Sequence, residues 1–216
     1  MPLSTAPHPR RTGRELLARE AAKCKLALPE ADLDALAAYL DLLRQWGARI
    51  NLTGYKTPKA MVRHLFLESL VLDRWLPEHT RALDVGSGAG FPALPLKLRR
   101  PAVPWRLVEP RRKKGMFLQE VAARLGLEGV VVDPRSIQEV AHDPNLTEGF
   151  DLITIRGFDF RWKDLAPLLA PGGTLALITA QGKGNALKAA RPPWVGFAAG
   201  HPLPYGRRFC FRFRRV

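Results

Sequence analysis

The sequence has 216 residues, of which 46% are hydrophobic. This length and composition allow one good-sized domain, or a domain with an added helical lobe, and they exclude wholesale disorder. The 34 Lys and Arg residues outnumber the 20 Asp and Glu residues, which gives a net charge of +14. Such a charge attracts polyanions, above all nucleic acid, although a general basic bias of the source proteome would produce the same excess.

Targeting and redox features favour a cytoplasmic protein without a membrane partner. No apolar stretch reaches the roughly 20 residues that a transmembrane helix needs. Met1–Arg11 contains three prolines and no apolar core, so we interpret it as a short flexible arm and not as a secretory signal. Cys24 and Cys210 lack metal-ligand spacing, and we expect both to be reduced thiols.

The first part of the chain is predicted to be entirely helical. Helices are expected over Arg14–Leu26, over Pro29–Arg49, where leucines recur at three- and four-residue intervals, and over Pro58–Leu72. Asn51-Leu-Thr-Gly separates the second helix from the third. We therefore expect residues 1–80 to form an arm and a helical cap, and residues 81–216 to form a second domain.

From Arg81 onward, strands alternate with helices. Strands are expected at 81–85, 105–109, 130–133, 150–155 and 174–179, with helices over 91–99 and 113–125. Pro171-Gly-Gly is expected to turn the chain into the fifth strand. This alternation predicts βαβ units and a mainly parallel sheet with right-handed crossovers. Trp194–Ala199 and Arg207–Arg214 are expected to form a hairpin, since Phe and Arg alternate in the second segment.

A glycine-rich segment, Asp84-Val-Gly-Ser-Gly-Ala-Gly-Phe, follows the first strand and opens a helix. Its glycines allow a tight turn and a close approach of a ligand to the main chain. The dinucleotide fingerprint needs its third glycine one residue later, where this chain has Phe91. The spacing instead resembles motif I of class I methyltransferases, which implies S-adenosylmethionine as cofactor. The alternative is a β-to-α turn with no ligand. The candidate cofactor-binding residues are Asp84, Gly86, Ser87, Gly88, Gly90 and Phe91.

A carboxylate follows the glycine motif at the end of the second strand. Glu109 lies 25 residues after Asp84. There it can accept hydrogen bonds from both hydroxyls of a ribose, so we count it among the cofactor-binding candidates. The alternative is a surface glutamate paired with the basic residues at 111–114.

Several short motifs follow one another along the chain in a specific order. They are the helical segment Tyr39–Trp46, Asn51-Leu-Thr53, His64 with Glu68-Ser69, Asp84–Pro95, Glu109 with Lys113-Lys114, Arg135 and Arg156. In this order the chain resembles the small-subunit ribosomal RNA guanine-N7 methyltransferases, the glucose-inhibited division protein B family, over Tyr39–Lys183. The resemblance implies a class I α/β fold, with a mostly parallel, seven-stranded Rossmann-like sheet and an N-terminal helical cap. It also implies methyl transfer from S-adenosylmethionine to guanine N7 in 16S ribosomal RNA.

The resemblance also implies roles for individual residues. Gly86 and Phe91 would bind the cofactor, and Ser136 and Ile137 would cover its adenine. Arg156 would lie beside the cofactor and the target base, and it is both a cofactor-binding candidate and the candidate catalytic residue. Contacts with RNA phosphates are implied for Lys113, Lys114 and Arg135. We add Arg111 and Arg112 to this RNA-binding set, because they flank the expected cofactor cleft.

The chain departs from the family's pattern at four positions. Ala93 replaces the glycine of the family's usual Phe-Pro-Gly, and Ile137 stands where a Glu is expected near the adenine. His64 is one residue further from Glu68-Ser69 than in the family's His-x-x-Asp-Ser, and Gly157 follows Arg156 where Ala is usual. These departures leave open a diverged paralogue with another target nucleotide.

The proposed chemistry needs few groups. Guanine N7 carries an in-plane lone pair and no proton, so methyl transfer to it requires positioning and no general base. No metal cluster or nucleophile–base set is expected. Arg156 is expected to donate a hydrogen bond to guanine O6, and the alternative is a salt bridge at a strand end.

Two alternative functions remain at this stage, and a third is excluded. The expected protein is a monomer that acts on small-subunit ribosomal RNA or on the ribosomal particle. One rival is a methyltransferase for another RNA, a protein or a small molecule, which a closed apolar pocket would favour. Another is a non-catalytic RNA-binding protein on a decayed methyltransferase fold. A nicotinamide dehydrogenase is excluded by the glycine spacing.

Overall fold

The structure is a computed structural model that describes residues 9–206 and 208–216, and for residues 9–11 it describes the backbone only. Of the arm predicted over Met1–Arg11, the first eight residues lie outside this part. The remaining three belong to the first helix.

The helical cap consists of α1 (Pro9–Lys23), α2 (Glu30–Gly47) and a longer helical segment. That segment comprises α3 (Pro58–Met61), a π-helical turn (Val62–Leu67) and α4 (Glu68–Leu72). The helix predicted over Arg14–Leu26 ends earlier, because Lys25 adopts a left-handed φ of 53° that an α-helix cannot continue.

A seven-stranded sheet forms the centre of the molecule. Its strands are β1 (Ala82–Val85), β2 (Trp105–Val108), β3 (Val130–Asp133), β4 (Phe150–Arg156), β5 (Leu169–Ala180), β6 (Val195–Pro202) and β7 (Arg208–Arg215). Their order is β3-β2-β1-β4-β5-β7-β6. Strands β1 to β5 are parallel, and β7 runs antiparallel between β5 and β6. The predicted α/β fold, the parallel core and the terminal hairpin are therefore confirmed.

Helices connect the strands on both faces of the sheet. They are α5 (Ala93–Arg99), α6 (Arg112–Arg124), α7 (Ile137–Ala141), α8 (Trp162–Leu165) and α9 (Gln181–Ala189), with a 3₁₀ turn at Pro144–Leu146. The sequence pattern predicts α5 and α6 but not the other three. These span 5, 4 and 9 residues, too few for a helical period to show clearly.

The fifth strand differs from its prediction. The pattern places a turn at Pro171–Gly173 and a strand from Thr174, but β5 begins at Leu169. The turn residues form an irregularity within the strand. Phe150 of β4 pairs with Leu169, whereas Leu152 already pairs with Thr174. The extra residues bulge out, and Gly172 allows this with a φ of +72°.

The core lies on both faces of the sheet. One cluster of buried side chains joins the helical cap, α5 and α6 to one face. A second cluster packs α7, α8 and the Phe side chains of β7 on the other. The alternation in β7 explains this division, since Cys210 belongs to the first cluster and Phe211 and Phe213 to the second. Among the described residues, no helix has the length and apolarity needed to cross a bilayer.

Candidate active site

The glycine-rich turn lies at the carboxyl end of β1, in the centre of the sheet. Gly86, Gly88 and Gly90 all adopt positive φ, at 69°, 57° and 82°. The N–H groups of Gly86 and Ser87 donate to the carbonyl of Val108 on the adjacent strand, at 2.9 and 3.0 Å. The turn therefore requires glycine for its backbone, and it is held open at the crevice where α/β folds bind ligands.

Helix α2 supports this turn from the cap side. The hydroxyl of Tyr39, a fully buried residue, donates a hydrogen bond to the carbonyl of Ala89. Its ring stacks on that of Phe91, with a centroid distance of 5.1 Å and an interplanar angle of 4°. A Cβ at Gly90 would lie 2.5 Å from the Tyr39 hydroxyl. The helical cap is thus in direct contact with the predicted cofactor loop.

Asp84 is buried beneath the turn. Its Oδ1 accepts a hydrogen bond of 2.6 Å from the Thr154 hydroxyl, whereas Oδ2 has no partner among the described residues. Burial raises the pKa of Asp84 to about 7, and its hydrogen bonds and the charge of Arg156 only partly offset this rise. A buried, unpaired carboxylate oxygen is costly, and it is typical of a site completed by a ligand.

Glu109 follows the last residue of β2 and is fully buried. One carboxylate oxygen accepts from the N–H of Gly88 at 2.8 Å. The other accepts from the N–H and from Nε of Arg111, at 3.0 and 2.9 Å. The carboxylate therefore lies directly beside the glycine turn, although its oxygens bond to the protein itself in this structure.

A cavity of about 490 Å³ opens above the glycine turn. It brings together seven residues that the sequence predicts for cofactor or RNA: Gly86, Ser87, Gly88, Phe91, Arg111, Lys114 and Arg156. It also has lining residues that the sequence analysis does not assign to the site: Leu52, Thr53, Gly54, Tyr55, Leu65, Ala89, Gly157, Phe158 and Arg208. The motif Asn51-Leu-Thr53 is the only feature of the sequence that points to the loop at 52–55.

Arg156 is the last residue of β4, and its side chain is 9% exposed. Nη2 donates to Glu68 Oε2 at 2.7 Å and also to the carbonyl of His64. Nη1 is buried and has no partner among the described residues. The salt bridge considered as an alternative is therefore present, yet one donor of the same guanidinium remains for a ligand in the cavity.

The π-helical turn explains one departure from the family's pattern. It carries His64, which stands one residue too far from Glu68. A π turn takes up an extra residue within a helix, and such turns often occur at functional sites. As a result, His64 Nδ1 still lies 3.0 Å from Glu68 Oε1. The longer spacing is therefore compatible with a direct contact between the two side chains.

Gly157 has an explanation in its backbone. It follows Arg156 with a φ of +62° and lines the cavity. Any residue with a side chain would be strained there, so this departure from the usual Ala accompanies a left-handed turn after β4.

Residues 135–137 are not among the residues that line the glycine-turn cavity, and each has contacts within the protein. Ser136 is the N-cap of α7, and with Glu139 it forms a capping box. Ile137 is 2% exposed and belongs to the second core cluster. Arg135 pairs with Asp133 at 2.7 Å and with Asp143 at 3.0 Å.

The other basic candidates lie on the first turn of α6. Arg112 and Lys113 are exposed, and Arg112 lines a separate cavity of about 550 Å³ together with Glu109. Burial lowers the pKa of Lys114, which faces the glycine-turn cavity. Within residues 9–206 and 208–216, no group of three or more His, Cys, Asp or Glu side chains could hold a metal ion.

The strand order, with an antiparallel seventh strand beside β5, and the glycine turn at the end of β1 define a class I methyltransferase fold. A solved S-adenosylmethionine-dependent methyltransferase from Aquifex aeolicus is similar, with a TM-score of 0.58 and 18% identity. The match covers 73% of this chain and 93% of that one.

A family model described as rRNA small subunit methyltransferase G, GidB, matches residues 32–192. A protein of that name from Roseiflexus castenholzii is 38% identical over 65% of this chain, and one from Oleidesulfovibrio alaskensis is 33% identical over 87%. The chain belongs to the GidB family. The matches span 60% and 82% of the length of these two relatives. Family membership indicates S-adenosylmethionine as the cofactor.

The residues present fit this cofactor. The glycine turn would be closed by side chains, since a Cβ at Gly86 would lie 2.7 Å from the ring of Phe158. Among the described residues, Asp84 Oδ2 and Arg156 Nη1 are buried polar atoms without a hydrogen-bond partner, and Arg156 lines the cavity. Glu109 lies next to Gly88 and is available to ribose hydroxyls if its bond to Arg111 is exchanged.

Proposed function

We propose that this protein transfers a methyl group from S-adenosylmethionine to guanine N7 in small-subunit ribosomal RNA. The observation that carries the proposal is that Arg156 lines the glycine-turn cavity while its Nη1 is a buried donor without a partner in the described structure. Family membership supports both the reaction and the RNA substrate.

The cofactor would supply an electrophilic methyl group on a sulfonium. Gly86, Ser87, Gly88, Gly90 and Phe91 would hold it on the main chain of the turn, with Asp84 below, Glu109 at the ribose, and Ser136 and Ile137 on the adenine side. Arg156 would donate to guanine O6 and so orient the base with N7 free. No residue has to remove a proton, because N7 carries none.

The rim of the cavity is suited to RNA. Arg111 and Lys114 line it, and Arg112 and Lys113 lie on the same helical turn. We propose that these four residues contact phosphates, together with Arg135. An open basic rim favours a polyanion over a small molecule, which a closed apolar pocket would suit better.

We also propose the remaining features on the same basis. The helical cap, residues 1–80, would form a unit that closes the cofactor turn through Tyr39, and residues 81–216 would form the methyltransferase domain. The protein would act as a cytoplasmic monomer on ribosomal RNA or on the small subunit.

The test combines binding and transfer. Calorimetric titration should give micromolar affinity for S-adenosylmethionine and S-adenosylhomocysteine. Labelled methyl from the cofactor should then enter undermethylated small subunits or their free RNA. Borohydride and aniline cleave RNA at 7-methylguanosine, so label without a new cleavage site would contradict N7 as the acceptor.

A variant pair tests the role of Arg156. Arg156→Lys keeps the charge but loses the planar fork, so we expect at least a tenfold loss of methyl transfer and a smaller loss of cofactor affinity. The control is Arg161→Lys, at an arginine that is 57% exposed and paired with Asp164. Equal activity of the two variants would exclude the proposed contact with the base.

A further inference from the structure

A second cavity adjoins the one above the glycine turn. It measures about 330 Å³ and is lined by Tyr55, His64, Glu68, Ala180, Gly206 and Arg208. Tyr55 and Arg208 line both cavities. These two residues therefore stand between the predicted cofactor turn and a further space on the side of β5 and β7.

Tyr55 presents an aromatic ring at this boundary. One face of the ring stacks on the imidazole of His64, with a centroid distance of 4.9 Å and an interplanar angle of 14°. Its hydroxyl accepts a hydrogen bond of 2.7 Å from Arg208 Nη1. The ring is therefore held from two sides, by the helical cap and by the C-terminal hairpin.

Arg208 approaches from the opposite side. It is the first residue of β7 and pairs with Ala180, the last residue of β5, so it lies at the same edge of the sheet as the carboxyl ends of the parallel strands. Its Cζ is 5.8 Å from the centroid of the Tyr55 ring, and its side chain is 38% exposed. In the described part of the chain, only Nη1 of this guanidinium forms a hydrogen bond.

The one carboxylate in the second cavity is already paired. Glu68 is fully buried, and its oxygens contact His64 Nδ1 at 3.0 Å and Arg156 Nη2 at 2.7 Å. Arg208 is further away, at 3.7 Å from Glu68. The second cavity therefore offers a ligand an aromatic ring and a largely uncommitted planar cation, which is the combination that stacks nucleobases.

We propose that the cavity lined by Tyr55 and Arg208 is the subsite for the target base, and that the base stacks on the Arg208 guanidinium, which the Tyr55 hydroxyl holds in place. The base would be a purine that has left its helix or loop stack, with its reacting edge toward the glycine turn. This assignment rests on the proposed function and adds a recognition role for two residues. Arg156 would still donate to the edge of the base, and Arg208 would cover its face.

A purely structural role is the competing explanation. In that case Arg208 would only tie the hairpin to the loop at 52–55 through the Tyr55 hydroxyl. The two explanations differ in what their loss affects. A tie contributes to stability, whereas a base subsite contributes to kcat/KM for RNA and leaves cofactor affinity unchanged.

The experiment compares Arg208→Ala and Tyr55→Phe with Arg214→Ala. Arg214 lies on the same strand and the same face as Arg208, and is exposed, but it pairs with Thr174 far from the cavity. Arg214→Ala therefore removes the same charge without touching the subsite. Tyr55→Phe keeps the ring and its stacking on His64 but removes the bond to Arg208.

For each variant, three quantities are measured: kcat and KM for methyl transfer to undermethylated small ribosomal subunits, the Kd for S-adenosylhomocysteine, and the melting temperature. We expect Arg208→Ala to lower kcat/KM by about 10- to 100-fold, the range for losing one stacking partner of a base. Tyr55→Phe should lose only a few-fold, and Arg214→Ala less than about threefold. The Kd for S-adenosylhomocysteine should stay within twofold of wild type in all three.

Several results would overturn the subsite. Equal losses of kcat/KM in Arg208→Ala and Arg214→Ala would show that the effect depends only on overall charge. Weaker S-adenosylhomocysteine binding by Arg208→Ala would place the residue in the cofactor site. If Arg208→Ala does not fold, wild-type kinetics in Tyr55→Phe would contradict the proposal that Tyr55 holds Arg208 in place for the base. An inactive wild-type protein would instead contradict the proposed function, so the two failures are distinguishable.

Discussion

Two buried side chains of the site each have a polar atom without a hydrogen-bond partner, and a bound ligand could supply that partner. The Asp84 carboxyl is buried with one oxygen unpaired, and the Arg156 guanidinium is buried with one nitrogen unpaired. Burial raises the pKa of Asp84 to about 7 and lowers that of Arg156. Both groups lie at the carboxyl ends of adjacent strands, β1 and β4. Perturbed groups that converge on one crevice are typical of active sites.

The raised pKa of Asp84 predicts a pH dependence of stability. The folded state keeps a proton on Asp84 that the unfolded chain releases near pH 4. The contribution of this group is therefore fully present below that pH, and it is lost as pH rises toward about 7, by on the order of 4 kcal/mol. Urea unfolding of wild type and Asp84→Asn between pH 4.5 and 8 measures it.

Asn cannot ionise, so the variant should gain stability relative to wild type as pH rises through this window. A difference between the two proteins that stays constant with pH would show that Asp84 has an ordinary pKa in the folded state.

At the scale of elements, the glycine turn depends on how α2 docks. Tyr39 of α2 both bonds to Ala89 and stacks on Phe91, so the cap and the sheet meet at the cofactor loop. The motif itself is local and was predictable, because its glycine spacing encodes the turn. Its support by a tyrosine about 50 residues earlier was not, because helical periodicity shows which face is buried but not what it packs against.

We predict that Gly90→Ala disrupts this docking. A Cβ there would meet the Tyr39 hydroxyl at 2.5 Å and Leu94 at 2.6 Å, and φ is +82°. The matched control is Gly126→Ala, where φ is also positive at +60° but no atom lies within 4 Å.

In both variants the free energy of unfolding should fall by about 1 kcal/mol, because alanine is strained at a positive φ. In Gly90→Ala it should fall by about 1–3 kcal/mol more, and cofactor affinity should fall as well. Urea unfolding and calorimetry measure the two effects. Equal stability of the two variants would mean that the turn shifts freely and that α2 does not support it.

At the scale of the whole molecule, the net charge of +14 would strengthen the proposed contact with RNA. The net charge follows from the composition. The contribution of each cation to RNA binding, however, depends on whether its side chain is exposed or held in ion pairs within the protein. Arg112 is exposed at the start of α6, whereas Arg135 is held by Asp133 and Asp143. Both belong to the proposed RNA-binding set.

Salt dependence and stability together distinguish these two arginines. Arg112→Ala should reduce the slope of log affinity against log salt concentration for ribosomal RNA by about 0.7–0.9 and leave stability nearly unchanged. Arg135→Ala should reduce the slope as well, and it should also lower the free energy of unfolding by about 1–2 kcal/mol, because it removes ion pairs to two carboxylates. Filter binding and urea unfolding measure both quantities. Lower stability with an unchanged slope in Arg135→Ala would contradict its proposed phosphate contact.

The sequence by itself determined the α/β class, the helical cap, the positions of the parallel strands along the chain, and the glycine turn with Asp84 and Glu109. These features are encoded locally, in periodicity, in glycine spacing and in the residue that follows a strand. Only the tertiary structure decided two contacts. Arg156 donates to Glu68, which lies 88 residues earlier in the chain, and Arg208 donates to Tyr55, which lies 153 residues earlier. Such contacts depend on strand order and on helix docking, which bring distant segments to one edge of the sheet and leave no local pattern in the chain.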